Sequence, residues 1–157
     1  MLHLRRIFSW GLLGLMILGY IAILTLSYTA SRPRGLGVTT GRFAPCPATP
    51  NCVSTQADKP DQKMAPIPYT TSTTEAKQRL LTLIHATPRT TLIEDSPTYM
   101  AVVFRSAIFR FPDDVEFYFD EPNKLIHFRS ASRLGRSDMG TNRARMVALT
   151  ATFLASN

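Results

Sequence analysis

The hydrophobic pattern divides the chain into three stretches of different period. From Ile7 to Ser31 there are 25 consecutive residues without a charge, rich in Leu, Ile, Gly and Ala. A run of ~18 or more such residues is long enough to cross a bilayer as a helix. Residues 32–70 have no regular period and are full of turn formers, including Pro33, Gly35, Gly37, Gly41 and the prolines around the two cysteines. They predict a tether followed by an irregular strap. From Ser72 onward the pattern becomes periodic.

Ser72-Thr-Thr-Glu75 is a capping-box sequence, in which a hydroxyl and a carboxylate satisfy each other's backbone donors. The helix it opens places Ala76, Leu80, Leu83, Ile84 and Thr87 on one face and stops before Pro88. Four strand patterns follow, over residues 90–94, 99–105, 115–120 and 125–130. The third alternates cleanly, Val115, Phe117 and Phe119 opposing Glu116, Tyr118 and Asp120. Turn signals at Asp95-Ser-Pro97, Pro112-Asp-Asp114 and Glu121-Pro-Asn123 predict an antiparallel meander. A last helix over 142–154 carries Met146, Leu149 or Thr150, and Phe153 on one stripe. The expected fold is α+β: an N-terminal transmembrane helix, then a small domain with an antiparallel sheet of about four strands and two helices packed on one face. Tyr118, Phe104, Phe109 and Phe111 imply apolar surface on the second face as well. Either the strap of residues 42–70 covers it, or a lipid or partner protein does.

The N-terminal run separates two placements. A cleaved signal sequence has a shorter apolar core, of ~7–15 residues, and Tyr28-Thr29-Ala30 is a poor cleavage site. The expectation is therefore a cytoplasmic tip and anchor over 1–31, a tether over 32–42 and an exported domain over 43–157. Charge does not orient the span, because Arg5 and Arg6 before it are balanced by Arg32 and Arg34 after it. Cysteine usage does. Cys46 and Cys52 are the only two in the chain, and a pair this close forms a small disulfide loop in an oxidising compartment. That predicts an inner-membrane protein with its C-terminal domain facing the periplasm or exterior.

The net charge of +7 is unevenly spread. Residues 41–128 hold nine basic and ten acidic residues, whereas residues 129–145 hold five arginines against Asp138 alone. A nucleic-acid binder needs a broader basic face with stacking aromatics, so no nucleic-acid partner is expected. The basic segment, Arg129-Ser-Ala-Ser-Arg-Leu-Gly-Arg-Ser-Asp-Met-Gly-Thr-Asn-Arg143, supports two readings. In one, Arg129, Arg133, Arg136 and Arg143, with Ser132, Ser137, Asp138 and Asn142, surround an anionic small molecule or lipid headgroup near the N-terminus of the last helix. In the other, the arginines tie the loop to Asp113, Asp114 or Glu116 as an internal clamp. A hydrolase or transferase using Asp113, Asp114 or Asp138 is the catalytic alternative, and a structural subunit of a membrane complex is the third. No phosphate-loop, G-x-S-x-G or zinc-ligand spacing occurs, so no catalytic residue, metal or cofactor is expected.

Three segments carry a resemblance. Cys46-Pro-Ala-Thr-Pro-Asn-Cys-Val-Ser54, Asp113-Asp-Val-Glu-Phe117 and the arginine segment together resemble domain of unknown function 1499, over about residues 43–154. The resemblance implies a small membrane-anchored or exported protein of a bacterial or plastid type, with no agreed activity. It also implies a histidine where this chain has Gln62-Lys-Met64.

Overall fold

A computed structural model describes residues 2–156, with side chains from Ser9 onward. Met1 and Asn157, the outer ends of the expected anchor and domain, lie outside the described residues, as do the side chains of Arg5 and Arg6. The first element is a helix, α1 (Leu2–Thr29). Its stretch Ser9–Thr29 has a mean hydropathy of 2.0, and its most apolar 18-residue window is not buried in the protein. It is long and apolar enough to cross a membrane, a criterion that a signal sequence also meets.

After α1 come four short strands: β1 (Val38–Thr39) paired with β2 (Arg42–Phe43), then β3 (Cys52–Ser54) and β4 (Ile67–Pro68). Helix α2 (Thr73–Ala86) follows. The strands β5 (Thr90–Ser96), β6 (Tyr99–Arg105), β7 (Pro112–Asp120) and β8 (Leu125–Ser132) precede the last helix, α3 (Thr141–Ala155). The expected meander is present as the antiparallel run β5–β6–β7–β8, but the sheet has six strands rather than four. Both additions use the outer edge of β8: Ile67 pairs with Ile126, and Cys52–Ser54 pair with Ala131 to Arg129. Strands of two or three residues are too short to show a period of two, and their proline-rich surroundings read as loop. The long free edge of β8 recruits them, since an open ladder of N–H and C=O groups pairs with any chain laid along it.

The second turn is also displaced. Pro112-Asp-Asp114 is not a turn but the start of β7, and the chain reverses at 107–109. Proline is tolerated as the first residue of a strand, and Asp113 and Asp114 are drawn into the sheet by partners described below.

Alternation along the strands gives the sheet two different faces. Met100, Val102, Phe104, Val115, Phe117, Phe119, Ile126 and Phe128 point to one side and form the core with Ala76, Leu80 and Ile84 of α2 and Met146, Leu149 and Phe153 of α3. The two helices pack on this face, as expected. Helix α2 begins as its capping sequence predicts, with Glu75 N–H donating to Ser72 Oγ at 3.2 Å. It ends where Thr87 N–H returns to the Ile84 carbonyl, one residue before Pro88. On the other face, Tyr99 and Ala101 pack with Phe43, Val38 and Tyr118. Part of the tether and strap therefore covers the second apolar side. Cys46 and Cys52 form a disulfide. Gln62, buried in the stretch 62–64 where a histidine was expected, braces this ring by donating to the Pro47 and Thr49 carbonyls at 2.7 and 3.3 Å.

Candidate functional site

Asp113, Asp114 and Glu116 occupy consecutive or alternating positions of β7, so the pleat sends Asp113 to the helix side and Asp114 and Glu116 to the tether side. They do not converge. Each instead meets one arginine, and all three pairs are largely shielded from solvent.

On the helix side, Asp113 Oδ2 accepts from Arg145 Nη2 at 2.5 Å, and its other oxygen accepts from Ser132 Oγ at 2.5 Å. Arg145 also donates to Asn142 Oδ1 at 2.8 Å and lies 4.8 Å above the Phe104 ring. Asn142, fully buried, is the centre of this network. Its Oδ1 accepts from Ser130 Oγ, and its amide nitrogen donates to Asp138 Oδ2, Ser132 Oγ and the Asn51 carbonyl at 2.8–3.2 Å. Asp138 in turn accepts the backbone N–H groups of Gly140 and Asn142 at 3.0 and 2.8 Å. A carboxylate there satisfies donors left open at the start of α3 and complements the helix dipole. Gly140 takes the left-handed conformation, with φ of 80°, that this entry into α3 requires.

On the tether side, Arg133 makes a two-pronged contact with Asp114, Nε to Oδ2 at 2.8 Å and Nη2 to Oδ1 at 2.7 Å. Its remaining nitrogen, Nη1, donates to the carbonyl of Ala30, just beyond α1, at 3.0 Å. Glu116 is completely buried and accepts from Arg129 Nη1 at 3.2 Å, Tyr99 Oη at 2.8 Å and Gly37 N–H at 2.6 Å. Burial pushes the Tyr99 phenol well above its ordinary pKa, and the charge of Glu116 and its hydrogen bond add to that. Tyr99 is thus held as a neutral donor.

These placements assign the arginine segment residue by residue. Arg129, Ser132, Arg133, Asp138 and Asn142 are engaged inside the protein. Arg143 donates to the Asp61 and Lys63 carbonyls at 2.6 and 3.4 Å, fastening α3 to the strap. Ser137 Oγ accepts from Met139 N–H at 3.2 Å within the loop. Arg136 is exposed and, among the described residues, makes no hydrogen bond or ion pair. A cleft of about 410 Å³ runs between the tether and the sheet, lined by Pro33, Arg34, Leu36, Pro45, Arg129 and Ala131 among others.

Chemically, the arrangement neutralises charge rather than presenting it. A carboxylate gripped by a guanidinium is a poor proton acceptor, and a guanidinium already paired has little left for an outside anion. Sequence reasoning had no role for Arg145, Asn51 or Arg105. Arg145 was legible in principle, because it lies three residues after Asn142 and so shares its helix face.

His127 sits on the tether face beside Tyr118, its ring stacked on that residue with centroids 6.2 Å apart. Thr55 Oγ1 lies 3.1 Å from Nδ1 and Asp120 lies 3.7 Å from Nε2. Burial lowers its pKa, and the opposing pull of Asp120 does not overcome it.

A model of the family described as protein of unknown function, DUF1499, matches residues 42–153. No curated protein and no solved structure matches the chain. The chain belongs to the DUF1499 family.

Proposed function

We propose that this family member is a single-pass membrane protein whose domain is a non-catalytic module, seated against the bilayer and facing anionic lipid headgroups. The observation that carries the reading is the junction between α1 and the domain. Besides the bond from Arg133 to Ala30, Arg105 Nη1 donates to the Ser27 carbonyl at 3.3 Å, and its guanidinium lies 4.9 Å above the Tyr28 ring. Ser27 is completely buried there. The last turn of an apolar helix is thereby held on the domain rather than swinging from a free linker.

Held so, the domain keeps Arg32, Arg34, Arg105 and Arg110 near the place where the helix leaves the lipid. Each cation near an anionic membrane surface adds about 1 kcal/mol of attraction. The Cys46–Cys52 disulfide suits an oxidising compartment and supports a domain outside the cytoplasm. The engagement of Asp113, Asp114 and Asp138 favours this reading over a hydrolase or transferase.

The test is native mass spectrometry of the full-length protein released from membranes in mild detergent. The reading expects an uncleaved chain carrying anionic phospholipid, with the lipid lost when Arg34→Gln and Arg110→Gln are combined. An uncleaved chain without lipid would overturn the headgroup contact. A chain shortened ahead of Arg32 would overturn the anchor.

A further inference from the structure

Between β6 and β7 the chain reverses through Ser106-Ala-Ile-Phe-Arg-Phe111, and this turn sends large apolar side chains outward. Ile108 is 66% exposed, Phe109 38% and Phe111 37%. Turns that face water are built mainly from Gly, Asn, Asp, Pro and Ser, none of which stands among residues 107–111. The neighbour of this cluster is α1. Tyr20 Oη donates to the Ile108 carbonyl at 3.2 Å, and the Tyr20 ring centroid is 6.2 Å from that of Phe109, which is itself 5.6 Å from Phe111. The apolar turn is therefore continuous with the unburied apolar surface of the helix.

We infer that this turn is a second membrane element, inserting Ile108, Phe109 and Phe111 into the leaflet on the domain's side of the bilayer. The inference rests on the reading of α1 as a bilayer span. Depth supports it. A hydrocarbon layer of ~30 Å takes about 20 helical residues. Counted from Ile7, where the uncharged run begins, the layer ends near Leu26. Tyr20 then lies about 9 Å below that boundary, within the ~5–10 Å that interfacial apolar elements reach. Ile108, bonded to Tyr20, is carried to the same level.

Part of the turn's backbone meets the demand that lipid makes of any irregular segment, namely that its polar groups be bonded within the protein. The Ile108 carbonyl takes the Tyr20 hydroxyl. The Arg110 carbonyl accepts from Arg105 Nη1 at 3.1 Å, and the Phe111 carbonyl accepts from Ser106 N–H at 3.0 Å. Phe111 N–H donates to Ser106 Oγ at 3.0 Å. Three of the turn's carbonyls are thus bonded within the protein while Ile108, Phe109 and Phe111 expose their side chains. Arg110, half-buried, has a stem long enough to lift its guanidinium to the headgroups.

The chain has one tryptophan, Trp10, on α1, which makes a paired experiment possible. Full-length wild type, and a Trp10→Phe, Phe109→Trp variant, are reconstituted in phosphatidylethanolamine and phosphatidylglycerol vesicles that include phospholipids brominated along the acyl chains. The inference expects both indoles to be quenched by the brominated lipid, with that of Phe109→Trp shielded from aqueous iodide. If Trp10 is quenched and the second indole is not, the inference is overturned while the anchor stands, and shielding from iodide alone would mean the turn is covered by protein only. If neither indole is quenched, the anchor reading fails and takes the inference with it.

Discussion

Replacing Arg133 with alanine should be among the most damaging single changes in the domain. Its side chain is 9% exposed and that of Asp114 is 5% exposed, so the pair is largely desolvated. Alanine removes both bonds to Asp114 and leaves that carboxylate buried without its counter-charge. Breaking such a pair from one side costs about 3–5 kcal/mol. The 112 residues of the matched region give an unfolding entropy of roughly 0.24 kcal/mol/K at the ~2.1 cal/mol/K per residue typical of globular proteins. The melting temperature should accordingly fall by about 13–21 °C, read by circular dichroism on the full chain in mild detergent. The companion variant Arg133→Met with Asp114→Leu removes both charges together. It should recover most of the loss, because an apolar pair of similar volume avoids the stranded charge. A fall of under ~4 °C on Arg133→Ala, the scale of a surface ion pair worth under ~1 kcal/mol, would refute the argument. So would a double variant no better than the single one.

Other perturbations probe separate parts of the account. Asn142→Ala should cost about 1–3 kcal/mol, because it removes the bonds of a fully buried amide to Ser130, Ser132 and Asp138; urea denaturation measures it. Reducing the Cys46–Cys52 disulfide opens a seven-residue ring and should cost about 2 kcal/mol by loop entropy, seen as a lower melting temperature in reductant. Burial lowers the His127 pKa, so the folded protein binds that proton less readily than the unfolded chain. Stability is therefore complete above the unfolded value of about 6.5 and declines as pH falls through it toward the lower folded value. His127→Gln should flatten that part of the stability profile; an unchanged acid slope would refute the assignment.

The parts of the fold that the sequence made legible are those with a sustained period. Ser72-Thr-Thr-Glu75 marked the start of α2, and Val115 to Asp120 marked a two-faced strand. The short strands β3 and β4 were hidden because Cys52–Ser54 and Ile67–Pro68 pair only through β8, a long-range contact with no local signature. The turn at 107–109 was hidden for the opposite reason. Its apolar residues resemble strand, while Pro112-Asp-Asp114 resembles a turn and is instead held straight by Ser132, Arg145 and Arg133. For the candidate site, composition identified the arginine segment and its possible carboxylate partners, but pairing depends on which face each side chain takes. Asp113 and Asp114 are adjacent in sequence and lie on opposite sides of the sheet, a separation that follows only once their strand is known. Arg105 gave no sign of contacting α1, because nothing local records that Ser27 and Tyr28 return to it.

The central claim is that the domain sits on its own anchor at the membrane, and proximity between α1 and the β6–β7 turn tests it most directly. Tyr20→Cys and Ile108→Cys are introduced together in the full chain, whose native cysteines are already paired, and native membranes are treated with a short membrane-permeant bismaleimide. The account predicts an efficient link within one chain, detected as two fragments held together after cleavage between residues 20 and 108. Fragments that separate, while both introduced thiols prove reactive toward a permeant monofunctional maleimide, would contradict it.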